Sequence, residues 1–466
     1  MSIPGSASAW CRQRLETTRQ GGRPFRRGAL AVIAALAGLP AVHAEPLTLT
    51  DAWQAARDHD PDFQAARHEL DAGLQSVPIG RAGLLPKVSA VASAAKVDGD
   101  RTAPNSTGAS VKTPLDYVSR QNALQLRQPI YNREAITRFQ LGRVQADYAR
   151  AVFAGAELDL VTRVASAYLD LMLAQDLIEL GKAQQTAYEE QAKRARANFA
   201  RGEGTRTDIS DAEARAALAQ ADFMDANDRF AVAQQALAAI VGQVPVSLPA
   251  LITDWKPPLL DPPTLDTWLD TAREKSPQID AERFAFEAAK RNVSIARAGY
   301  QPTVDLVASV SESESDSTST LNQKFHQNTV GVQLNVPLYA GGGVRARAAQ
   351  AAANQARESA RLDATVNKVL LEVRRNWLVT TNSWAKIGAY QSAVDSALTL
   401  QRGVEAGIRA GMNVPSDALN ATRLLYVSRR DLAKARYDYL VSRLKLQATA
   451  GVLDEEDIKT AASMFR

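Results

Sequence analysis

The sequence predicts a mainly α-helical chain with a β-barrel part, laid out as a duplicated unit of helix, strand, strand and long helical hairpin. Three observations predict it. The first is internal repetition. Arg81-Ala82-Gly83 recurs as Arg297-Ala298-Gly299 and Pro86 as Pro302, both 216 residues on, while Gly202, Asp208 and Gly242 recur as Gly411, Asp417 and Gly451, each 209 on. The second is a period of two: Val330, Val332, Leu334, Val336 and Leu338 share one face, and Thr329, Gly331, Gln333 and Asn335 the other. That is a strand with one apolar and one wet side. The third is helix length. No proline interrupts Arg133–Arg201, and Val161, Val164, Tyr168 and Leu171 step by three and four, the seam of a coiled coil. A helix of about 65 residues runs about 100 Å at 1.5 Å per residue.

Residues 1–44 read as a signal peptide. Arg23, Arg26 and Arg27 precede the apolar run Ala29–Leu39, and Ala41–Ala44 supplies an A-x-A cleavage site. A run of about 11 apolar residues is short of the roughly 20 that a membrane anchor needs. Residue 45 is Glu, not the cysteine of a lipid anchor. The leader holds six Arg and one Glu, a net of +5, so the chain's +4 becomes −1 without it. The basic balance therefore carries no argument for nucleic acid. Cys11 leaves with the leader, and the remainder must be held by packing, pairing or assembly rather than disulfides. No later stretch reads as a transmembrane helix, so a membrane crossing must be made of strands.

The first repeat, residues 45–243, opens with the amphipathic helix Leu49–Pro61 and continues in a second helix to Gly83. Strands follow at about 86–98 and 117–129 around the polar loop Gly99–Pro114, and a helical hairpin at about 133–241 closes the unit. Residues 244–263 are a linker too proline-rich for helix or central strand. The second repeat, 264–453, has the helix Leu265–Pro277, a second helix to Gly299, strands at about 303–311 and 326–338 around Ser311–Lys324, and a hairpin at about 343–450; residues 454–466 are a C-terminal tail. Val304, Leu306, Ala308 and Val310 alternate with mostly polar neighbours, whereas in the first repeat only Leu124 and Leu126 do so clearly. A half-buried soluble sheet has the same alternation. Short turns on one side and long polar loops on the other are the habit of outer-membrane barrels. Four strands cannot close a barrel, since about eight is the smallest workable number. An open edge in lipid leaves backbone groups unpaired at several kcal/mol each. The strands span a membrane only if copies assemble: two give eight strands, three twelve, four sixteen. The narrow apolar stripe of the hairpins, flanked by alanine, suits helices packed side by side; an ordinary coiled-coil spacer has the same period.

The stretch Phe199–Ala214, FARGEGTRTDISDAEA, has the glycines of a phosphate loop. A helix rather than a strand precedes it, however, and no Gly-Lys-Ser/Thr follows. Gly202, Gly204 and Gly411 read as hairpin turns, with Gly202 and Gly411 stopping a helix in the left-handed conformation. Thr207 and Asp208 then start the next helix, placing Asp208 and Asp211 at the positive end of its dipole. Two readings of the acids stand side by side. They cap helices, or, if several subunits set these tips around one axis, Asp208, Asp211 and Asp417 form rings of negative charge that favour cations and hinder anions. Other chemistry is thin. His59 and His68 do not have metal-pair spacing, Gly341–Gly343 is a strand-to-helix bend, and no nucleophile with a nearby base is visible. The sequence predicts no enzyme, no cofactor and no metal.

These features resemble the TolC family of outer-membrane export ducts, which includes outer-membrane components of type I secretion. The resemblance rests on the duplicated plan, on the run Asp417–Ile458, similar to that family's last long helix and its ending, and on the tip pattern Phe-x-x-Gly-x-x-Thr-x-Thr-Asp at Phe199–Asp208. It covers about Leu47 to Ile458. It implies a homotrimer, with twelve strands forming one barrel in the outer membrane and twelve helices a tapering tunnel across the periplasm, belted at its equator. The implied partners are a periplasmic membrane-fusion adaptor, an inner-membrane ABC or proton-driven transporter, an exported protein or drug, and outer-membrane lipid. The family's closed tip carries two aspartates three residues apart in the second hairpin; the matching positions here are Asp417 and Asn420. Its tip lock uses a tyrosine and an arginine; the matching positions are Ile408 and Asn413. Asp208 matches the acid in the first hairpin that such locks engage. The leading expectation is a passive duct for type I secretion of a protein such as a toxin, with which Glu45 at the first position after the leader agrees. Multidrug efflux through the same architecture is the alternative. A soluble periplasmic coiled-coil adaptor is the alternative of another class, and it predicts no barrel.

Overall fold

The computed structural model describes residues 46–465 apart from 246–247, 253–254, 256 and 318–319. The expected signal peptide, residues 1–44, lies outside the described residues. Helix α1 (Leu49–His59) opens with a capping box: Asp51 N–H donates to Thr48 Oγ1 at 3.2 Å and Thr48 N–H to Asp51 Oδ2 at 3.3 Å. Asp60 caps α2 (Pro61–Leu74) by accepting from Phe63 N–H at 2.8 Å, with Pro61 preorganised at the first position. α3 (Ser76–Ala82) leads into strands β1 (Lys87–Pro104) and β2 (Ser110–Tyr131). Asn132 caps α4 (Arg133–Ala200), 68 residues long, and α5 (Arg206–Val241) returns along it. The second repeat supplies α6 (Leu265–Lys275), α7 (Pro277–Ala298), β3 (Thr303–Ser317), β4 (Thr320–Asn335), α8 (Gly343–Arg409) and α9 (Pro415–Ala450). A further helix, α10 (Glu455–Ala462), occupies what the sequence suggests is a plain tail.

The strands form one antiparallel sheet in the order β1-β2-β3-β4, so the repeats meet at β2 and β3. Among the described residues, the far edges of β1 and β4 carry no partner strand. The strands outrun their expected limits. The stretches read as polar loops, 99–114 and 311–324, are laddered for most of their length. The first hairpin turns within Asn105–Ala109, where Asn105 Oδ1 accepts from Thr107 N–H at 3.0 Å and Ala109 N–H at 2.9 Å. Two charges of the expected loop, Lys112 and Asp100, form a cross-strand pair at 2.6 Å instead, beside a second pair, Lys96–Asp116, at 3.3 Å. Conversely β4 stops at Asn335, short of the expected 338, because Pro337 has no N–H to give a ladder. At 22 residues, β2 is about twice the 9–11 that cross a bilayer. One face of the sheet carries Val88, Leu124, Val310, Val330, Val332 and Leu334, all exposed. A contiguous apolar face of this kind marks a membrane or partner contact.

The helices make a wall one helix thick. Beside the sheet its order is α3, α4, α7, α8; at the far end it is α5, α4, α9, α8. The seam residues Val161, Val164, Tyr168 and Leu171 are buried, as are Val369 and Val373 in the second repeat. A second layer covers only the middle, where α1 and α10 pack with residues of the 248–263 strap against α4 and α9, and α6 packs on α8 and α9. There Tyr168 O–H donates to Leu47 O at 2.9 Å, Trp268 Nε1–H to Pro262 O at 2.7 Å, and Tyr439 O–H to Pro258 O. Arg163 forks onto buried Asp60 at 2.8 and 3.0 Å. Burial, the largest single effect, would raise the Asp60 carboxyl, but the Arg163 bond and charge together with the Phe63 and Asp62 N–H groups outweigh it and hold the group below the usual carboxylate range. Fully buried Leu160, Leu169 and Leu171 each contribute about 1.5–3 kcal/mol to this belt.

Candidate functional site: the hairpin turns

The two long hairpins turn at equivalent places. Gly202 follows α4 with φ 76° and Gly411 follows α8 with φ 72°. Both turns close as Schellman motifs. Glu203 N–H donates to Asn198 O and Gly202 N–H to Phe199 O, each at 2.9 Å; Met412 N–H donates to Gly407 O at 2.8 Å and Gly411 N–H to Ile408 O at 3.1 Å. Left-handed backbone here requires glycine at both positions. Gly204 lies in the first turn without a positive φ. Phe199, Met412 and Val414 are exposed at the tips.

The acids follow directly. α5 begins slightly before the Thr207-Asp208 pair: Thr205 is the cap and Asp208 the third helical residue. Asp208 Oδ2 accepts from Thr205 Oγ1–H at 2.7 Å and Thr205 N–H at 2.9 Å, and Asp208 N–H returns to Thr205 Oγ1 at 3.2 Å. The hydroxyl first, and the amide second, hold the Asp208 carboxyl below the usual range. In α9 the cap position falls to Val414, whose side chain cannot accept. Asp417 Oδ2 therefore takes Val414 N–H and Asn413 Nδ2–H, both at 3.2 Å. Asn413 is thus turned onto its own helix start. It lies over Gly407, where a Cβ would sit 2.0 Å from Asn413 Oδ1.

One turn further come Asp211 and Asn420, and here the hairpins touch. Arg215 Nε–H donates to Asp211 Oδ1 at 3.1 Å, and Arg215 Nη2–H crosses from α5 to Asn420 Oδ1 on α9 at 3.2 Å. Nearby, Gln191 Nε2–H on α4 donates to buried Thr422 Oγ1 on α9 at 2.8 Å. Tyr188, buried beside this contact, has its hydroxyl pushed up by burial, which outweighs the opposing effect of Arg215. The structure therefore joins Asp211 to Asn420 through Arg215, while Asp208 and Asp417 are capped inside their own hairpins. Arg215 escaped the sequence reading; its i, i+4 spacing from Asp211 was the one signal available. Among the described residues no group of His, Cys, Asp and Glu could hold a metal, and no helix is long and apolar enough to cross a membrane.

A family model described as outer membrane efflux protein matches residues 52–243 and 268–452. The alkaline protease secretion protein AprF of Pseudomonas aeruginosa is 37% identical over 426 residues, 90% of this chain and 87% of that protein. The proteases secretion protein PrtF of Dickeya chrysanthemi is 34% identical over 450 residues, 94% of this chain and 94% of that protein. The solved structure of the outer membrane protein VceC of Vibrio cholerae aligns with a TM-score of 0.74 at 20% identity, covering 86% of this chain and 96% of that one, and shares its fold.

Proposed function

The chain belongs to the outer membrane efflux protein family, and on that premise we propose that it is the outer-membrane exit duct of a type I protein secretion system, working as a homotrimer. The observation that carries the ring is a pair of open borders. Among the described residues, β1 and β4 each leave one edge without a strand. The terminal helices of the wall are open as well: α5 exposes Leu218 and Val232, and α8 exposes Leu371 and Leu378, on heptad lines left uncovered among the described residues. Pairing β4 with the β1 of the next copy, and α8 with its α5, satisfies both borders at once. Three copies give twelve strands and a wall of twelve helices.

A protein cargo is supported by relatives named for protease secretion. The duct itself performs no chemistry; an inner-membrane ABC transporter supplies the energy and a periplasmic adaptor joins the two. The tips are the gate. Asp208, Asp211 and Asp417 ring the axis with negative charge, and Arg215–Asn420 holds the second hairpin of each subunit against the first. Opening swings α8 and α9 outward and breaks that link. Deletion of the gene should abolish export of the protein cargo of the accompanying ABC exporter, with drug sensitivity unchanged. An unchanged secretome together with raised drug sensitivity would assign the duct to efflux.

A further inference from the structure

The sheet register sorts its charged side chains by face. Cross-strand partners share a face, and neighbours along a strand alternate. The face carrying Leu124, Val310 and Val330 is the outward one if the strands line a duct in lipid. Past those apolar rows it turns heavily charged, with Lys96–Asp116 at 3.3 Å, Lys112–Asp100 at 2.6 Å and Lys324–Glu314 at 3.1 Å. The inward face of the same strands is different. Ser89, Gln125, Ser309 and Thr329 form one row across all four strands without a charge. Among the described side chains the inward charges are Lys87 at the helical end, Arg101 near the hairpin turn, and the pair Arg127–Asp305 at 2.6 Å, which cancels itself. A ribbon wetted on both sides has no reason to keep its charges on one of them, since solvated charges cost little on either.

Inward side chains of a closed barrel converge, and low-dielectric walls focus whatever field they carry. A charged ring there would hold cargo of the opposite sign and repel cargo of its own. Serine and glutamine offer hydrogen bonds that water exchanges readily, with no net field. We propose that the stretch of the barrel lumen between the Lys87–Arg127 row and Arg101 is an uncharged conduit, lined mainly by serine, glutamine and small side chains, that passes an extended polypeptide of either sign, so that charge selection is left to the two ends of the barrel and to the tips. This rests on the duct reading above.

The test uses the purified assembly in planar bilayers, with short poly-glutamate or poly-lysine peptides added on the extracellular side and driven in by opposite voltages. The wild-type channel should hold poly-lysine no longer than poly-glutamate, since the inward charges at the two ends, Lys87 and Arg101, are both positive. Gln125→Glu should lengthen poly-lysine blocks about tenfold, and Gln125→Lys should do the same for poly-glutamate, because each puts one charge per subunit into the confined ring. Gln333→Glu and Gln333→Lys repeat the test if the first pair fails to assemble. A wild-type channel that holds poly-lysine longer than poly-glutamate overturns the inference, as do charged variants that leave both dwell times unchanged. Either result leaves the duct reading standing, whereas material that inserts but never conducts removes both.

Discussion

Replacing Arg215 by alanine removes the side chain that bonds both Asp211 and Asn420. Hydrogen bonds to a charged group contribute about 1.5–3 kcal/mol when well shielded. The Arg215 side chain is 23% exposed and that of Asp211 39% exposed, so solvent screening brings the link to Asn420 down to about 1 kcal/mol. If three subunits open together, three such links break, about 3 kcal/mol in all. Loss of that restraint shifts the closed–open equilibrium by about 150-fold. A channel open for about 0.1% of the time would then be open for around a tenth of it. Single-channel recording measures this fraction directly. Asn420→Ala deletes the same link without deleting the positive charge, and should reproduce most of the effect. The double variant should add almost nothing to either single one, since both remove one interaction. An Arg215→Ala channel with wild-type closed times, or effects that add in the double variant, would refute the latch.

Asp417→Ala should weaken block by divalent cations in the same recordings, by removing one acid per subunit from the tip; unchanged block takes Asp417 out of the gate. Arg163→Met leaves Asp60 buried without its fork and should cost about 3 kcal/mol or more, read as a lower melting temperature. Because the Asp60 carboxyl is held low in the folded chain, that pair stabilises fully above the ordinary carboxylate range and loses its effect as pH falls through the depressed value. Wild-type stability should therefore drop below about pH 4, and the penalty of Arg163→Met should shrink there. Asp176 titrates the other way. Burial raises it, with Tyr437 O–H donating to Oδ2 at 2.8 Å as a smaller opposing effect. The native state thus favours the protonated acid, so Asp176→Asn, whose Oδ1 can still accept from Tyr437, should raise the melting temperature at pH 8, with a gain that fades as pH falls. A gain that grows toward acid would contradict the assignment.

What the sequence shows plainly is what repeats along one element. The step of three and four from Val161 to Leu171 marks a buried seam because a long helix returns the same face every turn, and that seam is buried. The alternation of Val330, Val332 and Leu334 marks a strand for the same kind of reason. Strand ends were harder. Asp100 and Lys112 read as loop residues because a ladder is made by backbone groups, and the cross-strand pairing that accommodates these charges appears only when β1 and β2 are laid together. α10 was hidden by its length of eight residues, although Asp454 caps it by accepting from Asp457 N–H at 3.0 Å. The tip illustrates the limit best. The sequence shows that Asn420 stands where a second acid is expected. Its partner could not be read, because Arg215 reaches it only through the packing order α5, α4, α9, α8, which no local pattern encodes.

In the proposed duct, further copies of the same chain close the open borders at β1, β4, α5 and α8. Native mass measurement of the detergent-extracted, unheated protein tests this most directly. The proposed duct should give three subunits in one particle, falling to single chains on heating. A particle of one subunit, stable in water without detergent, would contradict it.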